Sequence, residues 1–96
     1  MIKKRYLDMI EGIVSKHSDG KSGVFVFGSS LISDNFDDID LGFEKIEKGR
    51  LAEMKEAFET SNLPYKVDLV DFSKTKSAFR DKVYKGKILC IIPRKK

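Results

Sequence analysis

The stretch that decides the reading of this chain is VFVFGSSLISDNFDDIDLGF, residues 24–43. VFVF is a continuous apolar run of strand-forming residues, expected to be covered on both faces. It runs straight into Gly28-Ser29-Ser30. DIDLGF, residues 38–43, alternates instead. Ile39, Leu41 and Phe43 point one way, and Asp38, Asp40 and Gly42 the other. Asp37, Asp38 and Asp40 fall within four positions, an arrangement that costs stability unless the segment is a solvated turn or is built around a cation.

Two kinds of chemistry follow from these residue types. A Gly at the end of a buried strand permits a sharp turn and close approach by another group. If Ser29 and Ser30 open a short helix, their free N–H groups and a hydroxyl offer an anion site, with phosphate the natural ligand. Asp38 and Asp40, on one face of the next strand and about 7 Å apart by strand rise, suit Mg²⁺, a hard cation that bridges carboxylates to phosphates. A third carboxylate on a later strand would complete a two-metal site. Asp68, in YKVDLVDF (residues 65–72), lies on the polar face with Lys66 and Val70. Tyr65, Val67 and Leu69 form the opposite face. Asp71, the competing candidate, alternates away from Asp68.

Outward from this stretch, IKKRYLDMIEGIVSKH (2–17) has helical spacing, with Gly12 as a weak point. HSDGKSG (17–23) is a turn cluster. RLAEMKEAFETSN (50–62) is helical through Leu51, Met54 and Phe58, with a stop at Asn62 and Pro64. Its alternating charges describe a solvated face. Ser73 can cap a short helix, KTKSAFRDKV (74–83), carrying Phe79 and Val83. KILCII (87–92) is a last strand, stopped by Pro93, with Cys90 expected in the core. His17, beside a turn, needs no function. The order implies an α/β (α+β) fold, one sheet of about four strands with helices packed on it, in a single domain over residues 1–96.

Composition narrows the classes. Of 96 residues, 41% are hydrophobic and 35% charged, ordinary for a globular domain. No apolar run approaches the ~20 residues of a membrane span, and MIKKRYLDMIEGIV lacks the apolar core and cleavage site of a signal peptide. One cysteine excludes an internal disulfide, consistent with a reducing cytoplasm. The net charge of +4 does not mark a nucleic-acid surface. KKR (3–5) and RKK (94–96) hold six of the 19 basic residues. Without them, 13 basic residues face 15 acidic ones, a net charge of −2.

FGSSLISDNFDDIDLGF followed by YKVDLVDF resembles the polymerase-β-type nucleotidyltransferase superfamily: a Gly-Ser, an Asp-x-Asp and a third aspartate on a later strand. Size and order resemble the minimal nucleotidyltransferases, small domains that act as antitoxins beside helical HEPN toxins. The likeness spans about residues 20–92. It implies the nucleotidyltransferase fold, with a mixed sheet, and transfer of AMP from ATP to a hydroxyl on a HEPN partner, using two Mg²⁺ ions. It assigns Asp38, Asp40 and Asp68 to metal binding and catalysis, and Gly28, Ser29 and Ser30 to the nucleotide phosphates. The family's Gly-Ser-Arg-Ala-Arg-Gly reads Gly28-Ser29-Ser30-Leu31-Ile32-Ser33 here, so both arginines are missing, and Asp37 stands where a serine is usual. Lys66, on the predicted face of Asp68, is the candidate to replace that positive charge at the nucleotide. The chain leaves no room for the extra helical domain of nucleotidyltransferases that modify small molecules, so the acceptor surface comes from a partner or a second copy. The alternatives are a small-molecule nucleotidyltransferase and a binding module that neutralises its partner by contact.

Overall fold

The computed structural model describes residues 2–18, 20 and 22–93. The basic run 94–96 and part of the 17–23 turn cluster lie outside the described residues. Three helices, α1 (Lys4–His17), α2 (Lys48–Glu59) and α3 (Ser77–Lys85), accompany four strands, β1 (Val24–Phe27), β2 (Asp38–Phe43), β3 (Lys66–Asp71) and β4 (Ile88–Ile92). Short 3-10 turns follow β1 at Ser29–Leu31 and β3 at Phe72–Lys74. The strands form one mixed sheet in the order β3-β2-β1-β4, with β2 and β3 parallel and the other pairs antiparallel. The parallel pair needs a crossover, and α2 supplies it.

The alternation in β2 separates two apolar layers. On one face Val24, Val26, Ile39, Leu41 and Phe43 pack with Ile10 and Val14 of α1 and Met54 and Phe58 of α2. Tyr65, Val67 and Leu69 join that layer, as their spacing predicts. On the other face Phe25, Phe27 and Phe72 form a smaller aromatic cluster, against which Val70 and Val83 pack. Phe72 meets Phe25 and Phe27 edge-on, with centroids 5.0 and 5.4 Å apart, near the geometry their ring quadrupoles favour. All four residues of VFVF are buried, because β1 is a central strand with a layer on each side. Gly42 admits that aromatic layer: a Cβ there would stand 2.5 Å from the Phe25 ring.

Two expectations need correction. Cys90 is exposed, because β4 is an edge strand with little packed outside it. Ser73 does not cap α3, which starts at Ser77 behind Lys76 without a side-chain cap. Ser73 instead donates to Asp71, through its N–H at 3.0 Å and its hydroxyl at 2.6 Å, fixing the turn after β3. The helix around Phe79 and Val83 packs at the margin of the aromatic cluster. No residue of α3 is fully buried, and Phe79 remains 42% exposed.

Candidate functional site

The aspartates stand on the face of the sheet that carries the aromatic cluster, at its β2–β3 end. Parallel pairing sets Asp40 opposite Asp68 and Asp38 opposite Lys66. Directly paired residues project to the same side, so Asp38, Asp40 and Asp68 share one face. The backbone begins this pairing at the first of the clustered acids, where Lys66 N–H donates to the Asp37 carbonyl at 3.3 Å. The Asp37 side chain is exposed. Asp71 faces elsewhere and is engaged by Ser73.

Gly28 ends β1 with φ 88° and ψ −160°, a conformation essentially reserved for glycine. A Cβ on Gly28 would stand 2.5 Å from Asp40 Oδ2. The missing side chain is what lets the turn lie against the carboxylate. After it, Leu31 N–H donates to Gly28 O, and Ile32 and Ser33 N–H both donate to Ser29 O. These bonds leave the Ser29 and Ser30 N–H groups at the open start of the turn. Ser29 is exposed. Ser30 is buried, and its hydroxyl has no hydrogen-bond partner, so what Ser30 presents outward is backbone.

The electrostatics follow from the crowding. The Asp40 carboxyl is held above the usual carboxylate range, by its partial burial first and then by the negative charges of Asp68 and Asp38. Folding therefore favours protonated Asp40. That contribution is complete below the carboxyl's ordinary pKa of 3.8 and is lost as pH rises through the elevated folded value. At neutral pH the ionised group costs stability. Asp40→Asn is expected to raise unfolding free energy at pH 7 by about 0.5–2 kcal/mol, the usual scale of relieved functional-site strain. The gain should shrink toward pH 4. Chemical denaturation at both pH values checks this, and a gain equal at the two would remove the charge explanation.

Lys66 Nζ lies 3.9 Å from Asp68 Oδ1, with both side chains largely exposed, an ion pair worth at most about 1 kcal/mol. As the side chains stand, no group of three His, Cys, Asp or Glu residues among those described is arranged to hold a metal ion. The donor set is nevertheless of the right kind. Asp40 and Asp68 offer hard oxygen ligands in register, and their mutual repulsion is what a bound cation would relieve.

The residues of one row across the sheet read Asp68, Asp40, Phe27, Ile88. The carboxylates thus adjoin an apolar cleft of about 470 Å³ walled by Phe27, Ile32, Phe79 and Val83 and closed toward Asp40 by Gly28 and Ser29. The sequence reading puts Phe79 and Val83 on the short helix and does not single out Ile32. The overlooked signal was Ile32, an apolar residue in an otherwise polar loop, which is 74% exposed.

No family model matches the sequence, and no curated protein matches it. Solved structures do share its fold. One is a re-refined structure of a tri-AMPylated Shewanella oneidensis HEPN toxin in complex with MNT antitoxin, at TM-score 0.70 and 16% identity, covering 94% of this chain and 71% of that one. Another is a crystal structure from Shewanella oneidensis, at TM-score 0.67 and 19% identity, covering 92% and 71%. Among the described residues no helix is long and apolar enough to cross a membrane. The four-stranded mixed sheet and its helices are a nucleotidyltransferase-like fold, of the type seen in the MNT antitoxin.

Proposed function

We propose that this protein is a nucleotidyltransferase antitoxin that moves AMP from ATP to a hydroxyl on a HEPN-type toxin. The observation that carries the reading is the junction of Gly28 with Asp40, and of Asp40 with Asp68, on a fold shared with an MNT antitoxin complex. The backbone of Gly28 and Ser29 holds the phosphates against the carboxylates. Asp38, Asp40 and Asp68 would hold Mg²⁺, which when bound would neutralise phosphate charge and lower the pKa of the attacking hydroxyl. Asp68, in register beside Asp40, would help to activate that hydroxyl. Lys66, exposed beside Asp68, would supply charge to the nucleotide that the missing arginines do not. The site is open on the β3 side, which leaves the acceptor to arrive on another molecule. The cytoplasm is the compartment where such a partner and ATP meet.

The second reading, neutralisation by contact alone, is favoured by the Lys66–Asp68 pair and the lost arginines. The experiment is incubation of the full chain with ATP, Mg²⁺ and its HEPN partner, followed by mass spectrometry of the partner. Addition of AMP, about 329 Da by the chemistry of adenylylation, is the expected outcome. A partner bound and inhibited but unmodified would establish contact neutralisation instead.

A further inference from the structure

The structure holds a second feature beside the aspartates that the transfer reaction does not by itself require. The cleft between the Gly28 turn and α3 is apolar and aromatic, and it is open. The Phe79 side chain is 42% exposed and that of Ile32 74% exposed, although folding normally hides such groups where it can. Phe27 forms the floor, set by register directly beside Asp40. The Phe79 ring is held in place by contacts with Phe27 and Phe72, at centroid distances of 6.3 and 5.6 Å, so its free face is presented rather than mobile. Lys82 and Lys87 flank the cleft. Its volume of about 470 Å³ lies within the range of small-ligand sites.

We infer that this cleft seats the base of the nucleotide, stacked on Phe79 between Ile32 and Val83, with Lys82 and Lys87 drawing its phosphates toward Gly28 and Ser29. This rests on the nucleotidyl-transfer reading above and adds to it the residues that recognise the nucleoside. Three features select that occupant. The cleft ends at the Gly28-Ser29 turn, whose far side meets Asp40, so a ligand seated in the cleft has its phosphates at the turn that borders the carboxylates. An aromatic face and apolar walls suit a planar uncharged ring. The lysines make the rim cationic, so positive charge comes from α3 and the segment after it and not from the turn over residues 28–33, which carries none.

Calorimetric titration of the full chain with ATP and, separately, with inorganic tripolyphosphate, both with Mg²⁺, tests the assignment. The wild type is expected to bind ATP more tightly than tripolyphosphate. Phe79→Ala and Ile32→Ser should each weaken ATP binding about tenfold, the scale of losing one stacking or apolar wall, and leave tripolyphosphate unchanged. Ile32 is exposed enough that its variant folds even if Phe79→Ala does not. Lys82→Gln with Lys87→Gln should weaken both probes severalfold. Wild-type ATP affinity in both the Phe79 and Ile32 variants overturns the base seat. So does equal affinity of the wild type for the two probes, which leaves nucleotidyl transfer standing. Loss of HEPN-partner binding with unchanged ATP affinity assigns the cleft to the partner and overturns the inference. A wild type that binds neither probe overturns this inference and the transfer reading together.

Discussion

Replacing Asp38 and Asp40 together by asparagine is expected to reduce AMP transfer more than about a thousandfold, the scale on which removal of one electrostatic element acts in phosphoryl transfer. The amide keeps the shape of each side chain and removes its charge, and neutral amide oxygens hold Mg²⁺ poorly. The fold should survive. Asp38 is exposed at the start of β2, and the ionised Asp40 is a burden at neutral pH. The doubly substituted protein should therefore be at least as stable as the wild type in the absence of Mg²⁺, and added Mg²⁺ should stabilise only the wild type. Activity is read by mass spectrometry of the partner, and stability by denaturant titration with and without the ion. Partner binding should be unchanged, since the substitutions alter charge and not shape. Transfer at the wild-type rate by the double variant would end the catalytic assignment of these aspartates.

Gly28→Ala is expected to destabilise the protein by about 2–4 kcal/mol and to suppress nucleotide binding. Two separate costs combine. The backbone at φ 88°, ψ −160° strains any residue with a Cβ, at about 1–3 kcal/mol. The added methyl would also stand 2.5 Å from Asp40 Oδ2, so the carboxylate must rotate or the turn must lift. Either movement separates the Gly28 backbone from the aspartate. Gly12→Ala is the control. Nothing lies within 4 Å of a Cβ there, and a helix interior prefers alanine by up to ~1 kcal/mol. A Gly28→Ala protein as stable as the wild type, with intact ATP affinity, would show that the close approach is not needed.

Much of the fold was legible because it is written in period. The two-residue alternation of 38–43 and 65–70 sorts Ile39, Leu41, Val67 and Leu69 from Asp38, Asp40, Lys66 and Asp68, and the structure keeps every one of those faces. Parity also separated Asp71 from Asp68. The residues that misled are those whose environment depends on distant elements. Cys90 sits in an apolar run that reads as core, yet an edge strand covered on little of its surface leaves it exposed. Ser73 has the chemistry of a helix cap and uses it on Asp71.

Alternation and residue type, which act within a few positions along the chain, were enough to bring Asp38 and Asp40 to one face, to bury VFVF and to place a glycine where the backbone must turn. They are local because side-chain direction in a strand follows the backbone pleat. Strand order, the parallel register that sets Asp68 beside Asp40, and the approach of Gly28 to the Asp40 carboxylate were settled only by tertiary structure. Those features depend on how α2 returns the chain to the sheet and on how side chains remote in sequence share one space. The open aromatic cleft belongs to the same class, since Ile32 and Phe79 are far apart in the chain and become neighbours only when α3 closes over the end of β1.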